Sequence, residues 1–101
     1  MRQAAELIAS FTAGKTFADY EQGALCSAVE RQFEIIGEAL ARLARLDETH
    51  ASRISEYRRI IAFRNILIHG YADVDHLIVW DIIESKLPTL RREVTTLLER
   101  E

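Results

Sequence analysis

The chain has 101 residues, 49% of them apolar and 29% charged, with a formal net charge of −3. That is room for one small globular domain, 1–101, and it argues against disorder and against broad, non-specific nucleic-acid binding. A single cysteine precludes an intrachain disulfide, one proline and four glycines are too few for an all-β fold, and no apolar run nears the roughly 20 residues of a membrane span.

In chain order, Leu7, Ile8 and Phe11 share one side of a first helix predicted over 3–11, which Gly14 closes. Thr16 and Asp19 have the spacing of a capping box and open a brief helical turn through Glu21. Leu25, Val29, Phe33, Ile36, Leu40 and Leu43 then recur every three or four residues, which predicts a long helix over 23–45. Cys26 falls inside this pattern as a small core residue. Glu34 and Glu38 lie four apart on its flank, and Gly37 allows a neighbouring helix to come close. The two carboxylates have no partner motif elsewhere, which favours a solvated or arginine-paired face over a metal site. Residues 47–52 are polar and read as a connection, with His50 exposed in it.

A second amphipathic helix is predicted over 54–69, its seam running through Ile54, Tyr57, Ile61, position 64 and Ile68. Residues 71–75 make a tight link, and Asp73 or Asp75 caps the last helix. Leu77, Ile78, Ile82, Leu87, Leu90, Val94 and Leu97 form its expected buried side. His76 and Trp80 fall on other faces, and Trp80 is a candidate for an intersubunit contact. Pro88 predicts a kink, or two helices meeting near Lys86. The pattern gives an all-α bundle of four main helices plus a short helical segment. A chain this small gains from a partner, so oligomerisation is expected. No repeat, phosphate-cradling glycine loop or Cys/His metal cluster is visible, and neither a metal nor a cofactor is expected.

The chemistry concentrates in eight positions, Arg64 to Tyr71. Arg64 occupies the helix seam, where a leucine or isoleucine is expected. A guanidinium there has to be paired or to face a cleft. Asn65 and His69 are four apart and share a face. Arg64 and His69 are five apart and diverge by about 140° at 100° per residue. Aiming both at one small group requires a distorted last turn or a second copy of the chain. Gly70 suits the left-handed residue after a helix, and Tyr71 follows on the loop. Plainer roles exist for each residue: His69 as a helix cap, Arg64 in an ion pair, Arg58 and Arg59 on a solvated face, and Tyr71 packed by its ring.

Arg64-Asn65, four residues between Arg64 and His69, and then Gly70-Tyr71 together resemble the motif of HEPN domains. The tyrosine two after the histidine resembles the HepT branch. The runs Phe33-Glu34-Ile35-Ile36-Gly37-Glu38-Ala39, Tyr71-Ala72-Asp73-Val74-Asp75 leading to Ile78-Val79-Trp80, and Thr12-Ala13-Gly14-Lys15-Thr16-Phe17 are similar too. The resemblance implies a homodimeric HEPN-type helical bundle acting as the toxin of a type II/VII-like toxin–antitoxin system. It implies a metal-independent RNA endonuclease with Arg64 and His69 catalytic. The implied antitoxin is a nucleotidyltransferase of MNT type that transfers AMP to Tyr71. On chemical grounds Asn65 can orient His69, Arg64 can hold the scissile phosphate, and His69 can act as base or acid near neutral pH. Two alternatives stand beside this reading. One is a non-catalytic HEPN nucleotide-binding or scaffold partner of a nucleotidyltransferase; the other is a structural subunit whose Arg64 is satisfied by Glu34 or Glu38. A cytoplasmic chain with no membrane contact is expected in each case.

Overall fold

A computed structural model describes residues 1–22, 24–69 and 74–99. Among these residues the chain is all-α, with seven helices in order: α1 (Arg2–Thr12), α2 (Phe17–Glu21), α3 (Ala24–Leu46), α4 (Glu48–Ala51), α5 (Tyr57–His69), α6 (His76–Ser85) and α7 (Leu87–Glu99). None of these helices is long and apolar enough to cross a membrane.

The long predicted helix is α3, and its 3.6-residue pattern turns Val29, Phe33, Ile36 and Leu40 into the core. α1 lies across it and buries Ala4, Ala5 and Ile8. The capping box at the start of α2 forms as the sequence predicts. The Asp19 backbone N–H donates to Thr16 Oγ1 at 3.2 Å, and the Thr16 N–H donates to Asp19 Oδ2 at 2.9 Å. This short helix delivers Tyr20, which is fully buried. Burial pushes the Tyr20 phenol well above its ordinary value, with the charge of Glu30 adding to the shift. Burial also raises the Glu30 carboxyl, against the pull of His76.

Three expectations are corrected. The polar stretch 47–52 is more than a connection: Asp47 accepts from the His50 N–H at 3.1 Å and caps the one-turn α4. His50 is therefore not exposed; only 22% of its side chain is accessible, beside Asp47 at 4.0 Å. The second amphipathic helix begins at Tyr57 rather than 54, because Glu56 takes a φ of 57° and starts the helix anew. Ile54 is still buried, but from a turn.

The third correction is the register of α6. Asp75 caps it, accepting from the Leu77 N–H at 2.9 Å. The helix then turns Val79, Trp80 and Ile83 inward and leaves Leu77 and Ile78 exposed. Trp80 is only 8% exposed and packs on Tyr20 and Phe17, with ring centroids 5.4 and 6.5 Å away. It belongs to the core of this chain and is not available as an intersubunit contact. The helix is apolar on nearly every side, so spacing alone does not choose between its two stripes; the ring of Tyr20 does. Pro88 divides the final helix as anticipated, since α6 ends at Ser85 and α7 begins at Leu87. Proline sits in the first turn of α7, where a missing N–H costs little.

Candidate functional site

α5 packs chiefly on α3, and Gly37 is the reason it can come so close. A Cβ added at Gly37 would collide with Cβ and Cγ of Arg64. The absent side chain makes the slot that receives the Arg64 stem, which places a cation where the seam calls for an aliphatic residue. Arg64 Nη1 then donates to Glu38 Oε2 at 2.9 Å. The Arg64 side chain is only 16% exposed, whereas Glu38 is 46% exposed and also faces Arg42 at 3.9 Å. Of the two carboxylates that could serve, Glu38 is the partner. Arg64 Nε is buried and makes no hydrogen bond among the described residues. A guanidinium fixed through one nitrogen keeps other donors for an incoming anion.

Beside this pair lies a shallow cleft of about 300 Å³, lined by Arg31, Glu34, Ile35, Glu38, Ala39, Arg42 and Ile68. Asn65 and His69 are exposed, His69 as the last residue of α5. Arg64 is turned towards α3, where Glu38 holds it, and His69 is exposed at the end of α5. Ile66 and Ile68, on the same stretch, are 58% and 48% exposed. No residue of α5 is fully buried. Gly70 and Tyr71, the expected helix stop and modification site, lie outside the described residues.

A second cluster was not legible in the sequence. Cys26, Glu30 and His76 bring one ligand atom each to within 4.8 Å of one another. The i, i+4 pair on α3 was a possible signal, but only the fold adds a histidine from α6.

Comparison with known proteins decides the family. The family profile described as "Ribonuclease HepT-like" matches residues 1–97. The chain belongs to the HepT-like ribonuclease family. It is 31% identical over 100 residues to a protein named "Putative RNase" from Caldanaerobacter subterraneus subsp. tengcongensis, covering 98% of this chain and 88% of the relative. It is 33% identical over 94 residues to a "Probable ribonuclease HepT" from Thermococcus cleftensis, covering 88% and 81%. No solved structure matches the chain. The HepT-like match agrees with the all-α fold and with the resemblance seen in residues 64–71.

Proposed function

We propose that this chain is a single HEPN-type domain that cuts RNA without a catalytic metal, through one site shared by two protomers. The observation that carries the proposal is Arg64: a half-buried cation held at 2.9 Å by Glu38, which lines an open cleft, and five residues before an exposed histidine. A HepT-like ribonuclease has RNA as its substrate class, and the residues supply the parts that cleavage needs. One imidazole takes the 2′-OH proton, and the freed oxygen attacks the adjacent phosphorus. A second imidazole gives a proton to the departing 5′ oxygen as the P–O bond breaks, leaving a 2′,3′-cyclic phosphate. Arg64 neutralises the charge that builds on the phosphorane oxygens. Asn65, four residues before His69, orients it.

One protomer supplies one such histidine, five residues along α5 from its own Arg64. A twofold pairing through α5 brings the second and resolves the 140° divergence. The exposed Ile66 and Ile68 support an apolar interface on α5. The exposed histidines and half-buried arginines would line its seam.

The biological setting proposed is a toxin of the cytoplasm, neutralised by an MNT-type nucleotidyltransferase. The Tyr71 hydroxyl attacks the α-phosphate of ATP, losing its proton to solvent, and pyrophosphate departs. The added phosphate sets a negative charge near Arg64, where it competes with RNA. Intact mass after incubation with the partner and ATP tests this step. A gain of one adenylyl group that is absent in Tyr71→Phe supports it; no gain, or a gain retained in Tyr71→Phe, refutes it.

The structural-subunit alternative draws on the same Arg64–Glu38 bond, and Arg64→Met separates the two. In the cleavage reading the variant folds, dimerises and is inactive. In the structural reading it is neutral or stabilising and the wild-type chain cuts no RNA.

A further inference from the structure

On the side of α3 towards α2 and α6, three ligand types meet. Cys26 and Glu30 are one turn apart on α3, and His76 is the first residue of α6. His76 Nε2 lies 3.9 Å from Glu30 Oε2, and the Cys26 sulfur completes a triangle with no side above 4.8 Å. Neighbouring nitrogen and oxygen ligands of tetrahedral zinc stand about 3.4 Å apart, given metal–ligand bonds near 2.0–2.2 Å. Small side-chain rotations are therefore enough to close these three on one ion.

An independent observation points into the same place. Tyr20 is fully buried, yet its hydroxyl has no hydrogen-bond partner among the described residues. Its ring meets the His76 imidazole edge to face, with centroids 5.8 Å apart. A buried hydroxyl left unsatisfied destabilises the fold. A water in the fourth position of a metal held by the triad would offer that hydroxyl a partner. All three ligands are partly exposed, and a cleft of about 460 Å³ with Glu21, Asp75 and His76 on its wall gives an ion a route in.

We propose that Cys26, Glu30 and His76 form a binding site for one divalent transition-metal ion of the zinc type. Thiolate and imidazole ligands favour this class over magnesium or calcium. Binding displaces the Cys26 thiol proton to solvent. The site fastens the first residue of α6 to α3, next in sequence to the segment that carries Tyr71. Its role is structural, and it stands independently of the cleavage reading.

The test is to strip the chain with a chelator and titrate it with Co²⁺, then with Zn²⁺. Expected are one Co²⁺ per chain with a thiolate-to-cobalt charge-transfer band, displacement by Zn²⁺, and a rise in Tm of roughly 10 °C at 100-fold excess over Kd. Cys26→Ser should abolish the band, and His76→Gln and Glu30→Gln should each weaken Zn²⁺ binding by about tenfold or more. The near-isosteric Glu30→Gln, with its helix content checked by circular dichroism, guards against a folding defect. No thiolate band and no Tm shift in the wild-type chain, or undiminished affinity in both His76→Gln and Glu30→Gln, would overturn the site and leave a Glu30–His76 ion pair. RNA cleavage is not a readout, so the two proposals fail separately.

Discussion

The two long amphipathic helices at the centre of the molecule are used differently. α3 is covered by α1, α2, α4 and α5, and its stripe of Val29, Phe33, Ile36 and Leu40 is sealed. α5 rests mainly on α3, buries none of its residues fully, and leaves Ile66 and Ile68 to solvent. Both helices read as amphipathic in sequence. The difference is that α3 spends its apolar stripe on holding the fold, while α5 turns Arg64 towards α3 and leaves Asn65, Ile66, Ile68 and His69 exposed among the described residues. Changes in α3 should therefore register as stability, and changes on the outer face of α5 as activity or association.

The largest departure from symmetry between the two should come from His69→Ala. Loss of a general acid–base group lowers the cleavage rate by about 10²–10⁴. Because His69 is exposed, urea unfolding should shift by no more than about 0.5 kcal/mol. A variant that cuts RNA at the wild-type rate would break the comparison. Next comes the core of α3, where Ile36→Ala should cost about 2–5 kcal/mol on unfolding. The matching change on the open helix, Ile66→Ala, should leave monomer stability within about 0.5 kcal/mol and instead weaken self-association, read by analytical ultracentrifugation. Gly37→Ala joins the two helices and is intermediate. Its methyl pushes on the Arg64 stem, and overpacking of this kind costs about 1–3 kcal/mol. Cleavage should fall with it, because Arg64 has to move.

The smallest effect joins α1 to α7. Arg91 donates two hydrogen bonds to Glu6, at 2.7 and 2.9 Å, and these hold the Glu6 carboxyl below its ordinary 4.5. A depressed carboxylate contributes stability above its unfolded value, and that contribution is lost as pH falls through the folded one. Glu6→Gln should therefore lie slightly below wild type at neutral pH and converge with it below about pH 4.5, as followed by thermal melts.

Much of this was open to a reader of the sequence. The capping box at Thr16, the stripe of α3 and the break at Pro88 each rest on short-range spacing, which local physics determines. The slot at Gly37 and the choice of carboxylates for Arg64 were also visible, but the selection of Glu38 over Glu34 needed the rotation of α3 against α5. What failed was long-range. The register of α6 depends on Tyr20, delivered by a five-residue helix far back in the chain. The meeting of Cys26 and Glu30 with His76 depends on the same packing, which no periodicity in α3 or α6 contains.

The shared site is tested most directly by mixing wild-type chain with His69→Ala in varied ratio, letting protomers exchange, and measuring RNA cleavage at constant total protein. If both imidazoles of a dimer serve one phosphodiester, mixed dimers are inactive and activity falls as the square of the wild-type fraction, to about one quarter at equal amounts. A linear fall, to about one half, would mean that each protomer cuts with its own histidine alone, and would contradict the shared site.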